Sequence, residues 1–276
     1  MAAGTEETVI SAERANQGYL ADLWRYRELL AFLAWRDLLV RYKQTVVGAA
    51  WALIRPLLTM LVLTFVFGRL GQMPAAGSPY PLLVLCGILP WQFFAAAVSE
   101  SGNSLVSNSS LISKVYFPRL VIPVGSLITA CADVAIALVF LAALMAWYGW
   151  VPPLTVFLAP AFFALALLVS LGAGLWLAAL TVRYRDIKYI VPFAVQFGLY
   201  VSPVGFVSAV VPESYRLLYA LNPMVGVIDG FRWSILGGAH ALYWPAVLLS
   251  AVSGLILVWT GLLYFRRTER TFADVI

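Results

Sequence analysis

Arg55 sits inside an apolar run and directly before Pro56, in RDLLVRYKQTVVGAAWALIRPLLTMLVLTFVFG, residues 36–68. A guanidinium in such a place has two kinds of work open to it. It can pair with a carboxylate and hold two helices together, or it can offer its planar fork of donors to an anion such as phosphate. Helical spacing puts Trp51, Arg55 and Thr59 at i, i+4 and i+8, on one face. Arg55 lies about seven residues past the start of the run, roughly 10 Å deep at 1.5 Å per residue. Glu100, near the same edge of the next apolar run, matches that depth, whereas Asp133 reads as deeper. An Arg55–Glu100 ion pair is therefore the structural expectation and an anion-facing Arg55 the functional one.

Other chemistries lack their residues. No G-x-x-x-x-G-K-[ST] occurs, so no nucleotide is expected on a phosphate-cradling loop of this chain. His240 is the one histidine and has no acidic cluster beside it, so neither a catalytic nor a metal site is expected. Cys86 and Cys131 have no ligand spacing and read as small packed hydrophobes. Intramembrane acids are sparse, which weighs against an ion-coupled carrier. A membrane-embedded transferase would need a reactive cluster on a loop, and none is evident.

The elements that must carry Arg55 follow from composition. Hydrophobic residues make up 62% of the 276 and charged ones 11%, with mean hydropathy +0.89. That is far from a soluble domain and predicts an all-α polytopic membrane protein. Six transmembrane helices are expected, at about 48–70, 81–101, 120–147, 154–180, 187–208 and 242–265. The fifth contains Pro192 and Pro203 and is credible only if neighbours satisfy its freed backbone groups. Fourteen Lys/Arg fall on the side of the N-terminus and three (Arg69, Arg216, Arg232) on the other. Both termini are thus expected in the cytoplasm. The pI near 9.3 reflects these loops and not a nucleic-acid patch.

Residues 1–21, without a signal peptide's basic and apolar blocks, read as a flexible cytoplasmic N-terminus. Residues 22–43 read as an amphipathic interface helix. One apolar arc of it holds Trp24, Phe32, Trp35, Leu38 and Leu39 and another holds Leu29, Leu33 and Val40, so that one arc is expected in the membrane headgroups and the other against protein. Residues 44–268 form the six-helix domain and 269–276 a cytoplasmic tail. Before the last span, residues 212–238 are interrupted by Pro223, Gly226 and Gly230, which predicts a re-entrant helical hairpin.

Four stretches carry a resemblance. They are VRYKQTVVGAAWALIRPLL, NSSLISKVYFPRLVIPV, YRDIKYIVPFAVQFGLYVSPV and LNPMVGVIDGFRWSILGG. In order and spacing, over roughly residues 22–268, the chain resembles the membrane (permease) subunit of type-2 ABC exporters for polysaccharides, the O-antigen, capsule and teichoic-acid branch. Arg55 departs from the pattern, since relatives often carry an uncharged polar residue before that proline.

The resemblance implies a homodimer in the bacterial inner membrane that moves a lipid-linked polysaccharide outward, O-antigen first among the candidates. Each copy would rest on a separate cytoplasmic ABC ATPase, which binds ATP and magnesium while this chain binds no cofactor. An exporter of drugs or other lipids on the same fold is the alternative. The family's interface and coupling helices would correspond to 22–43 and to the loop NSLVSNSSLISKVYFP, with Arg36, Arg41, Leu105, Leu111, Ile112 and Lys114 as coupling candidates. With such a substrate, the face of Trp51, Arg55 and Thr59 would border the cytoplasmic entrance, where a diphosphate is anionic. Sugars stack on aromatic rings and bond to amides. Trp91, Gln92 and Phe94, with Phe193, Gln196, Phe197 and Tyr200, are the conduit candidates.

Overall fold

The computed structural model describes residues 24–43, 50–75, 77–237, 242–269 and 272. The expected flexible N-terminus, nearly all of the tail and His240 lie outside the described residues. Within them the chain is helical, with no strand. Helix α1 is Arg27–Lys43. Helix α2, Ala50–Leu63, runs on as a wider π-helical segment over Thr64–Leu70. Helix α3 is Tyr80–Ser107, α4 is the short Ser109–Lys114, and α5 is Val121–Trp147. A single-turn 3-10 segment, Leu154–Leu158, leads into α6, Ala159–Arg183. Then come α7 (Ile187–Val201), α8 (Glu213–Tyr219), α9 (Pro223–Leu236) and α10 (Trp244–Glu269).

Helix α3 is the axis of the bundle. It is apolar on all sides and mostly buried, as a helix must be when neighbours surround it. Helices α5 and α6 flank it, α10 lies against α6, and α9 is wedged among α3, α6 and α10. Helices α2 and α7 lean on α3 and leave much of their apolar surface uncovered. For a chain this hydrophobic such exposure fits lipid or a second copy, not water.

Five helices are long and apolar enough to cross a bilayer: α2 with its π segment, α3, α5, the Leu154–Arg183 helix and α10. The expected fifth span is shorter than the sequence reading gave it. Its helix ends at Val201 instead of continuing to residue 208, and 15 residues reach only about 22 Å at 1.5 Å each. Pro203 supplies the cause, since a proline disfavours helical geometry in the residue before it. By length and composition, five helices qualify as membrane spans.

Near the ends of α1 and α10 a second core gathers Leu33 of α1, Leu105 of α3, Ile112 of α4 and Phe265 of α10, together with Phe117 and Phe272. Leu33 and Ala34 are buried, while Trp24, Phe32 and Trp35 are exposed. Leu33 of one arc is thus packed on protein and the tryptophans and Phe32 of the other are uncovered, while Val40, read with Leu33, is exposed too.

The stretch before α10 also differs in detail from expectation. Pro223, Gly226 and Gly230 do not interrupt a helix. Pro223 occupies the first turn of α9, where its missing N–H costs nothing, and the Asn222 side chain caps the Met224 N–H at 3.0 Å. The two glycines lie on one face of an unbroken helix. A Cβ at Gly226 would meet the Ala246 carbonyl oxygen at 2.3 Å, and one at Gly230 would meet the Phe162 ring at 2.1 Å. They are there so that α9 can approach α10 and α6 closely.

Candidate functional site

Pro192, Val195 and Gln196 of α7 face α2, α3 and α5 across a cavity of about 800 Å³. Trp51, Arg55 and Pro56 form the α2 wall; Gln92 and Glu100 come from α3, Asp133 from α5, and Arg41 and Tyr42 from α1. The sequence candidates Trp51, Arg55, Gln92, Gln196 and Glu100 are therefore brought together. Much of the remaining lining is apolar, including Leu89, Phe93 and Val134.

The polar end of the cavity is an ion cluster that sequence reading missed. Arg41 lies 2.5 Å from a Glu100 carboxylate oxygen and 2.5 Å from one of Asp133. Tyr42 donates to the other Asp133 oxygen. Burial works against the Arg41 charge, but the Glu100 and Asp133 carboxylates outweigh it and hold the guanidinium above its ordinary range. Burial, then the bond to Asp133, push the Tyr42 phenol upward, so it stays a donor at neutral pH.

The expected Arg55–Glu100 pair is thus replaced: Glu100 is engaged by Arg41. Depth counted along the sequence failed because α1 lies alongside α5 and brings Arg41 level with both carboxylates. Arg55 makes no ion pair among the described residues and is exposed on the cavity wall.

The other conduit candidates are placed elsewhere. Thr59 turns its hydroxyl back to the Arg55 carbonyl at 2.9 Å. Trp91 is buried, packs beside Gly198 of α7, and tilts against Phe94 with ring centres 5.5 Å apart. Phe193, Phe197 and Tyr200 are exposed and do not line the cavity. Phe193 and Phe197 stack nearly parallel, 6.4 Å apart.

The coupling candidates also sort by burial. Leu105 and Ile112 belong to the chain's own second core, and Leu111 packs partly on it. Lys114 is exposed, with Val115 and Tyr116 beside it. Arg36 bonds Asp37 and reaches the Asn108 side-chain oxygen at 2.8 Å, which ties α1 to the α3–α4 junction.

A second buried charge stands at the opposite end of the bundle. Arg232, read from the sequence as a loop cation, is 2% exposed. Its Nε donates to the Leu83 carbonyl at 3.2 Å and its Nη1 to Phe206 at 3.1 Å. Its Nη2 donates to Pro203 at 2.6 Å and to Val204 at 3.1 Å. These are the backbone acceptors freed where α7 breaks, together with one from α3. Tyr80 adds a bond to the Gly205 carbonyl at 2.7 Å, and Asn222 one to the Ser202 hydroxyl at 2.9 Å. Gly87 makes the cradle possible, since a Cβ there would sit 2.6 Å from both Arg232 Nη2 and the Val204 oxygen. The condition set by Pro203, that neighbours satisfy the backbone, is met by this arginine. Asp229 at i−3, and its place in the LNPMVGVIDGFRWSILGG stretch, were its signals in the sequence.

A family model for the ABC-2 type transporter matches residues 28–236, three quarters of the chain and every element from α1 to α9. The chain belongs to the ABC-2 type transporter family. As an ABC-2 protein with several apolar helices, it is a multi-pass membrane protein of the permease type and not a nucleotide-binding subunit. Among characterised ABC-2 relatives it is 30% identical to the O-antigen export system permease protein RfbA of Myxococcus xanthus, over 92% of this chain and 98% of the relative. It is 27% identical to a protein of that name from Klebsiella pneumoniae, over 95% and 97%. The polysialic acid transport protein KpsM of Escherichia coli is 22% identical over 85% and 91%.

Proposed function

We propose that this ABC-2 permease is the transmembrane half of an ATP-driven exporter that moves a lipid-linked polysaccharide, O-antigen in the first place, across the bacterial inner membrane. The observation that carries the reading is end-to-end similarity to export permeases, two of them named for O-antigen and one for polysialic acid. ATP and magnesium belong to a separate cytoplasmic ATPase. The exposed Lys114, Val115 and Tyr116 beside α4 are the surface offered to it. The charge bias supports cytoplasmic termini, and with that orientation the α1 end of the bundle faces in and the α8–α9 pair lies at the outer end. Helix α7 with its capped break then completes a sixth passage, and α8–α9 is the re-entrant hairpin. The uncovered faces of α2 and α7, rich in Phe193, Phe197 and Tyr200, meet a second copy and form the conduit walls with it.

In this arrangement the cavity of about 800 Å³ is the inward-side entrance. Arg41 is committed to two carboxylates, and of the two guanidinia on the wall Arg55 keeps its fork of donors for an arriving diphosphate. Export measured in cells carrying Arg55→Lys and Arg55→Gln tests this. A bidentate role predicts at least a tenfold fall for Gln and a partial one for Lys. Normal surface glycan with both variants would remove Arg55 from substrate handling.

A further inference from the structure

A second cavity, of about 290 Å³, lies between α8, α9 and the start of α10, with the Ser208 turn closing one side. We propose that it is a binding site for one neutral sugar ring of the exported glycan, a proposal that rests on the export reading above. One hydroxyl on its wall, Tyr219 OH, is buried and has no hydrogen-bond partner among the described residues. Leaving such a group unpaired costs about 1–3 kcal/mol, so it calls for an occupant. Asp229 lies beside it, within reach of the Ser208 hydroxyl and near enough to Tyr219 for its charge to act there.

Arg232 makes this carboxylate an acceptor without using it up. The guanidinium donates at 2.6–3.2 Å to four backbone carbonyls and only reaches Asp229 Oδ1 at 3.5 Å. The charge of Asp229 is therefore compensated, while most of its acceptor positions remain for hydroxyl donors. Trp233, held edge-on by Phe162 and by Trp244, stands on the wall with Val225 and Leu242 and gives the pocket an apolar side. A carboxylate and an aromatic side chain on one wall, four residues apart on α9, suit a ring with hydroxyls on its edge and C–H groups on its face.

Other ligand classes fit less well. A phosphate would meet the Asp229 charge, while of the two guanidinia on the wall Arg232 serves four carbonyls and Arg216 serves those of Val211 and Ala209 beside Glu213. A metal ion would find one carboxylate, and no cluster of three ligating groups exists among the described residues. A lipid chain would leave the Tyr219 hydroxyl unsatisfied.

The test uses saturation-transfer difference NMR on the full chain in lipid nanodiscs, with D-glucose, D-mannose, D-galactose and L-rhamnose as probes. At least one sugar should receive saturation from the protein. Tyr219→Phe removes one hydroxyl and should weaken binding about three- to tenfold; Asp229→Asn should weaken it about tenfold or more. Both are near-isosteric, and each is compared with the unchanged protein by size-exclusion profile and melting temperature. If Asp229→Asn departs from it, Tyr219→Phe decides alone.

No transfer to any of the four sugars, or equal transfer with the variants, would overturn the proposal, an occupant of water only being the remaining explanation. Glycan localisation in a strain lacking this gene separates the two ideas. Glycan trapped inside, with no sugar bound at this pocket, ends the site proposal and keeps export. Sugar bound here, with surface glycan normal, keeps the site and ends the export reading.

Discussion

Arg41 and Arg232 solve the same problem in different ways. Each brings a guanidinium into a place where an unpaired charge would be costly, and each is neutralised or satisfied by groups distant in sequence. Arg41 finds two carboxylates on two other helices. Arg232 finds four carbonyls, three of them freed by the break after α7. Arg232→Lys keeps the charge but loses the fork, since an ammonium cannot serve acceptors spread across a plane. That change should destabilise the protein by roughly 2–4 kcal/mol, the worth of one or two charge-assisted bonds. Thermal unfolding in detergent should show a fall of several degrees, and an unchanged midpoint would mean that the carbonyls are satisfied without the guanidinium.

At this scale the sequence revealed residue types better than partners. Arg55, Gln92 and Gln196 were recognisable as unusual in apolar runs, and the fold does gather them. Which carboxylate meets which arginine was not legible, because it depends on how α1 lies against α5. Arg232 escaped notice because a count of charges by loop treats a buried cation and a solvated one alike.

Helix boundaries were legible wherever apolar runs are continuous. The expected spans at 81–101, 120–147 and 154–180 correspond to α3, α5 and the Leu154–Arg183 helix, each lying inside the observed bounds or within one residue of them. The α7 region was less legible, because a proline break can either end a helix or be covered by a neighbour, and the covering residue lies some thirty positions away. Gly226 and Gly230 misled for a related reason. Glycine in a helix signals either flexibility or close approach, and only the position of Phe162 and Ala246 decides between them.

The exposed aromatic face of α7 supports a prediction at the scale of the element. Phe193→Ala, Phe197→Ala and Tyr200→Ala each remove a side chain at least 60% exposed in one copy. The stability of the separated chain should change by less than about 0.5 kcal/mol, as for surface positions generally. Export, and the yield of dimer after mild cross-linking, should fall together. A triple variant with unchanged export and unchanged dimer would show that this face touches lipid alone.

For the whole molecule, the architecture divides labour along the bundle axis. One end, bound to α1, carries an ion cluster and an entrance-sized cavity; the other carries a backbone-locking arginine and a small polar pocket. Between them α3 is packed on most sides, whereas α2 and α7 leave much apolar surface uncovered. No phosphate-cradling loop motif occurs in the sequence, and in the proposed exporter the ATP-driven movement belongs to a partner. In that proposal Arg36 and Arg41 are the ties by which a shift of α1 would act on the α3–α4 junction and on the cavity carboxylates. Deletion of this gene from its host, followed by localisation of the lipid-linked glycan, tests export most directly. The account predicts polymer accumulating on the cytoplasmic face while synthesis continues. Surface glycan at its normal level in the deletion strain would contradict it.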